Sequence, residues 1–285
     1  MTKPGAVSWQ TLGGVSPTAL TAARLQSHHA VQVVVSLGIS YLPPRPDDSH
    51  TNLGWLPEQE ALVSREVPAG RPFRGALRLR DLTLLLLDQS GAPWSTLPLA
   101  GHTAREALAW LAAGVADAGG DPTSLRAGKH YDIPAHPIGS GAAFSAEPAW
   151  SFEELARYYD DAHTLLTSLA RRTPGASEVR CWPHHFDLGT LITLSGSGEA
   201  ARTIGLGMSP GDASYGEPYF YVTPWPSPPD RRGPGLPAGH WHTAEWFGAV
   251  LTGTELMSAR DTDGQMEQVS AFLSAATETC RTLLA

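Results

Sequence analysis

The chain has 285 residues, 42% of them hydrophobic and 17% charged, with a formal net charge of −8. That is enough apolar chain to bury a core as one large domain or two small ones, and it excludes a wholly disordered polypeptide. No apolar run reaches the roughly 18 residues of a membrane span, and a pI near 5.7 speaks against a nucleic-acid partner, which calls for a basic face.

In chain order, residues 20–29 suggest a short helix. Val31, Val33, Val35, Leu37 and Ile39 then alternate, which predicts a strand over 30–42. Pro43, Pro44 and Pro46 close it, because proline cannot donate to a ladder. Further strands are expected over 60–67 and 73–88, with a turn at Gln89-Ser90-Gly91. A helix is expected over 103–118, where Ala107, Leu108, Leu111 and Val115 follow helical spacing and Thr103 with Glu106 forms a capping-box pattern. Gly119-Gly120-Asp121-Pro122 stops it. The clearest helix covers 151–172, with Leu155, Tyr158, Tyr159, Ala162, Leu165, Leu166 and Leu169 as its apolar stripe and Ser151 with Glu154 as a second capping box.

The C-terminal third returns to strands over 179–195, 201–208 and 218–224. A Pro-, Gly- and Arg-rich loop over 226–237 follows, then a strand and turn over 241–251. A closing helix over 265–284 carries Val269, Phe272, Leu273, Ala276, Cys280 and Leu283 on one side. Strands, helices, strands and a helix in succession lack βαβ alternation. The expected fold is therefore α+β, a mainly antiparallel β-sheet with flanking helices. The domain reading is an N-terminal segment 1–24 followed by one domain over 25–285, with two sub-halves meeting near 145–150 as its variant.

Chemistry concentrates in three segments. In Cys181-Trp182-Pro183-His184-His185-Phe186-Asp187, an extended backbone would put His185 and Asp187 on one face. A histidine and a carboxylate so placed ligate one metal or form an acid–base pair. In Glu217-Pro218-Tyr219-Phe220-Tyr221, Pro218 favours extension, so Glu217, Tyr219 and Tyr221 would share a face. In Gly239-His240-Trp241-His242, the two histidines take the same strand face, a spacing suited to paired metal ligands. A rigid loop with two prolines, His130 to Pro137, is a candidate site wall through His136. His28 and His29 precede the expected strand and carry no assigned role.

Other chemistries lack their residues. No P-loop, GxSxG elbow, HExxH helix or complete dinucleotide fingerprint occurs, so no nucleotide cofactor is expected. Cys181 and Cys280 form no CxxC and read as buried thiols of a reducing cytosol. The opening residues carry no apolar signal region, so the expected location is cytoplasmic.

The blocks CWPHHFDLG, GMSPGD, GEPYFYVTPWP and GHWHTAEWFGAVL, with Tyr131 to Pro137 upstream, resemble a bacterial family without an assigned function. That family carries similar WPHHFD, SPGD, EPYFYV and G-x-W-H-T blocks. The resemblance covers about residues 25–280, and it implies a shared site without naming a reaction.

Two functions compete at this point. The first is a metal-dependent enzyme, hydrolase or oxygenase, acting on a small molecule in an aromatic-lined pocket. His185, Asp187, His240 and His242 would hold a divalent transition metal (zinc, iron or manganese). Glu217 would be a fifth ligand or general base and His184 an alternative ligand or catalytic group, while Trp182, Tyr219, Tyr221, Trp241 and His136 would contact the substrate. The alternative is a non-catalytic protein that binds a small molecule in the same pocket without metal.

Overall fold

The stretch read as a short helix and a strand is one helix, α1 (Thr21–Tyr41), in the computed structural model, which describes residues 9–128 and 130–285, Glu199 by its backbone alone. Ala30, Val31, Val33, Val34, Val35, Leu37 and Gly38 are all buried. Over residues 30–39 only Gln32 and Ser36 are polar, so the alternation over 31–39 is a subset of a helical stretch that is apolar on nearly all sides. Burial outweighs the weak helix propensity of the valines.

By its internal contacts the chain divides into two units. The first contains Thr21–Ala156 and Arg180–Phe186; the second contains the residues up to Leu20, Arg157–Val179 and Asp187–Ala285. The first eight residues of the expected 1–24 segment lie outside the described residues.

The first unit is built on an antiparallel meander of β1 (Gly54–Leu56), β2 (Ala61–Val63), β3 (Arg74–Arg78), β4 (Thr83–Leu87) and β5 (Pro93–Pro98), adjacent in that order. The single strand expected over 73–88 is thus a hairpin. A 3-10 turn over Leu79–Asp81 and a left-handed Leu82 reverse the chain between β3 and β4. Helix α2 (Ala104–Asp117) starts at Thr103 with the capping box in place: the Thr103 side chain accepts from the Glu106 N–H, and the Glu106 carboxylate accepts from the Thr103 N–H.

Helix α3 (Ala149–Arg172) runs from the first unit into the second. It begins two residues before the expected start, so Ser151 lies inside the first turn and is no cap. β6 (Arg180–Trp182) belongs to the first unit, where Cys181 bridges to Leu53. The second unit holds β7 (Asp187–Ser195), β8 (Arg202–Ser209), β9 (Tyr219–Trp225), β10 (His240–His242) and β11 (Gly248–Thr252), antiparallel in the order β10-β11-β9-β8-β7. A short helix α4 (Gly253–Leu256) follows β11 directly. Helix α5 (Thr262–Leu283) is capped by Asp261 and packs Val269, Phe272, Leu273, Ala276 and Cys280 against β8, β9 and β11. Its buried Gln265 accepts from the Leu12 N–H (2.9 Å) and donates to the Leu12 carbonyl (3.0 Å), holding the chain before α1 as a neighbouring strand would. The α+β class stands, with both sheets antiparallel. No helix among the described residues is long and apolar enough to cross a membrane.

In the first unit, Gly75 lets β3 approach α1, and Gly38 lets α1 approach the backbone at His50. A Cβ on Gly75 would come 2.5 Å from Leu37 Cδ1, a movable side-chain end, whereas a Cβ on Gly38 would come 2.6 Å from the backbone carbonyl oxygen of His50. Gly38→Ala is therefore expected to destabilise by about 1–3 kcal/mol, although alanine is the better helix former by about 1 kcal/mol. Gly75→Ala should cost less, because Leu37 can rotate. Urea denaturation of the two variants checks this order; an unchanged or stabilised Gly38→Ala protein contradicts it.

Candidate functional site

On the second unit's sheet, His240 and His242 are two apart on β10 and take one face, as their spacing predicts. Both reach the same atom. The Tyr215 hydroxyl lies 3.0 Å from His240 Nε2 and 2.9 Å from His242 Nδ1. Tyr215 is held by a side-chain turn on Asp212, whose carboxylate accepts from the N–H groups of Ser214 (2.8 Å) and Tyr215 (2.9 Å). The outer nitrogen of His240, Nδ1, is 3.0 Å from Glu255 Oε1. The other oxygen of Glu255 accepts from the backbone and hydroxyl of Thr252, the capping box of α4. His242 stacks on Trp246 (centroids 4.3 Å apart), and its Nε2 is 3.4 Å from Glu245.

These partners fix the protons. A carboxylate only accepts, so His240 carries a proton on Nδ1. In the neutral ring its Nε2 is then an acceptor, and the Tyr215 hydroxyl donates to it. The Tyr215 oxygen is left to accept from Nδ1–H of His242. A proton on His242 Nε2 would face Glu245. The result is a hydrogen-bonded line from Glu255 through His240 and Tyr215 to His242. Burial raises the Tyr215 phenol above its ordinary pKa, and Glu255, Asp212 and Glu245 add to the shift, so the hydroxyl keeps its proton at neutral pH.

Tyr219 and Tyr221 share a face of β9, as expected. Tyr219 donates to Asp212 (2.7 Å), and Tyr221 donates to the buried Asp187 at the start of β7. Burial and the bond to Asp212 push the Tyr219 phenol up as well. Glu217 does not join this face. Its carboxylate accepts from the N–H (2.7 Å) and hydroxyl (2.6 Å) of Thr254, holding the first turn of α4. Trp241 packs flat on Phe247 (5.1 Å) and donates to the Pro234 carbonyl (2.8 Å).

The WPHHFD segment is not extended, which corrects the shared face expected for His185 and Asp187. Residues 183–186 form a turn closed by the Phe186 N–H donating to the Trp182 carbonyl (2.7 Å), with Phe186 left-handed at φ 60°. The single strand expected over 179–195 is accordingly split into β6 and β7. In the first unit the rings of His184 and His185 stand 4.3 Å apart, with Trp182 and Tyr131 beside His184 at 6.2 and 5.7 Å. Burial and the neighbouring His185 lower the His184 pKa to about 4. Tyr131 donates to Gln32 Oε1 (2.8 Å), and Gln32 in turn donates to the Pro183 carbonyl (3.0 Å). His130 pairs with Asp48 (2.9 Å). His136 accepts from the Ile138 N–H (3.4 Å), and its ring is 5.5 Å from that of His29.

The expected ligands thus divide by unit: Asp187, His240 and His242 lie in the second, His185 in the first. No group of three or more His, Cys, Asp or Glu side chains among the described residues is placed to hold a metal ion. Tyr215 and Glu255 were missed in the sequence. A Thr-x-x-Glu capping pattern at Thr252 and the Asp212 turn were the available signals.

His28, also without an assigned role, is a structural group of the first unit. It is 3% exposed, stacks on Phe186 (5.1 Å) and donates from Nε2 to the Pro183 carbonyl (2.9 Å). Burial, with smaller contributions from neighbouring cations and histidines, lowers its pKa from 6.5 to about 4. The folded state therefore prefers the neutral ring. Between pH 6.5 and 4 the unfolded chain binds more protons, so stability falls as pH drops through that window. The loss from this ring is on the order of 3 kcal/mol once both states are protonated. Denaturant titrations at pH 7 and 4.5 should show His28→Gln losing less stability than the parent chain; parallel losses contradict the assignment.

No protein-family model, curated protein or solved structure matches the chain.

Proposed function

We propose that this protein binds a small molecule at the face of the second unit's sheet where Tyr215 meets His240 and His242, and that it moves a proton to or from that molecule. The observation that carries the reading is the single hydroxyl shared by two imidazoles, one of them anchored to a carboxylate. Such a line moves a proton along its length by exchanging donor and acceptor roles, with the carboxylate stabilising the charged imidazole. His240 and Glu255 are partly exposed, so the line opens to solvent at that end. Tyr221, held by Asp187 and partly exposed, supplies aromatic surface for a small ligand, with the buried Tyr219 packed behind Tyr215.

The metal-dependent reading asks more of the same residues. Both ring nitrogens of His240 are engaged, by Glu255 and Tyr215, and Glu217 is engaged by Thr254. A divalent metal on His240 and His242 would have to displace the Tyr215 hydroxyl. Cys181 and Cys280 are both buried, as expected of the thiols of a cytoplasmic protein.

Untagged protein prepared without chelator separates the two readings. The expected result is less than about a tenth of an equivalent of zinc, iron or manganese. A thermal-shift screen of small metabolites should then yield a ligand whose stabilisation is lost in Tyr215→Phe and in His242→Gln, with both variants folded. Stoichiometric metal that disappears in His240→Ala overturns the metal-free reading. A ligand whose binding ignores both variants removes the site.

A further inference from the structure

The first unit contains a cleft that plays no part in the reading above. It has a volume of about 430 Å³, within the usual range for small-molecule sites, roughly 300–1,000 Å³. Three pieces of chain enclose it. One face of α1 supplies His29, Gln32 and Val33, the first turns of α2 supply Ala104 and Leu108, and residues 133–140 supply Ile133, His136 and Ile138 among others. The spacings 29, 32, 33 and 104, 108 are those of one helix face.

Its polar groups are mostly committed elsewhere. The Gln32 amide donates to the carbonyls of His28 (3.2 Å) and Pro183 (3.0 Å) and accepts from Tyr131 (2.8 Å), so only its stem is left to line the cleft. His29 donates from Nε2 to the Pro134 carbonyl (2.9 Å). His136 differs. Its Nδ1 accepts from the Ile138 N–H, which places the proton of the neutral ring on Nε2. That N–H makes no hydrogen bond among the described residues. The cleft therefore presents apolar walls (Val33, Leu108, Ile133, Ile138), the His136 N–H donor and, at its exposed rim, the Ser140 hydroxyl. None of the described residues that line it is lysine or arginine.

We propose that this cleft is a binding site for a compact, largely apolar molecule ending in a neutral carbonyl group, which accepts from His136 Nε2–H. A carbonyl satisfies the donor at little desolvation cost. A carboxylate would be stripped of water with no cation among the described lining residues to receive it.

The test uses 2-naphthamide as probe, with 2-naphthoate and naphthalene as comparisons, titrated by NMR into the whole chain. Saturable binding of the amide is expected with a Kd on the order of 1 mM or below, tighter than either comparison. Leu108→Trp, which fills the cleft, should abolish it. His136→Phe should weaken it about fivefold, the worth of one hydrogen bond. Ala135→Trp, on an exposed lining residue, repeats the filling test if Leu108→Trp fails to fold. Absence of saturable amide binding overturns the site. Binding that survives both filling variants places the probe elsewhere, and equal affinity in His136→Phe or for naphthoate overturns the ligand class.

Discussion

A phenol has one proton to give, and the hydroxyl of Tyr215 has two imidazoles within 3.0 Å. Only one of them can accept from it; the other must donate. Glu255 decides which, because its carboxylate claims the Nδ1 proton of His240 and so turns Nε2 of that ring into the acceptor. The surrounding local structure in the second unit serves this arrangement. β11 pairs with β10 through His240↔Val250 and His242↔Gly248, then continues without a loop into α4. The capping box at Thr252 therefore both starts that helix and holds Glu255 against His240. Gly248 is needed at its place, since a Cβ there would come 2.9 Å from the Val222 carbonyl of the adjacent strand.

The electrostatics of the second unit keep its phenols protonated. Tyr215 and Tyr219 are both raised by burial and by nearby carboxylates. Each thus remains a hydrogen-bond donor, Tyr219 to the Asp212 carboxylate. Buried polar groups are costly unless satisfied. Here Tyr219 is satisfied by Asp212 and Tyr221 by Asp187, while the Tyr215–imidazole pair can exchange roles and His242 Nε2 has only the 3.4 Å approach of Glu245. The first unit has the opposite chemistry. His28 and His184 are lowered, mainly by burial, so neutral imidazoles pack there against Phe186 and Trp182.

Where one residue pattern dominated, the fold was legible in the sequence. The Thr103–Glu106 capping box, the apolar stripe of α5 and the shared face of His240 and His242 rest on fixed periodicities. They failed where several patterns coincide. Over residues 30–39 of α1 every position but Gln32 and Ser36 is apolar, so period two and period 3.6 both fit, and packing on β3 and α2 selects the helix. In the WPHHFD segment a left-handed Phe186 makes a turn that no local rule demands of phenylalanine. The chemistry was legible as residue types but not as partners. His240 and His242 read as metal ligands because a strand shows which side chains share a face, not what faces them. Their partner is Tyr215, 25 residues before His240, and its placement depends on an aspartate turn and three strand pairings.

The most direct measurement is 15N NMR of the histidine rings in the intact protein, followed through pH. A proton line through Tyr215 predicts that neutral His240 is the Nδ1–H tautomer and that His242 is protonated at Nδ1. Tyr215→Phe should shift both rings while the backbone spectrum stays folded. Ring shifts typical of metal coordination, or a Tyr215→Phe spectrum in which neither ring moves, would contradict it.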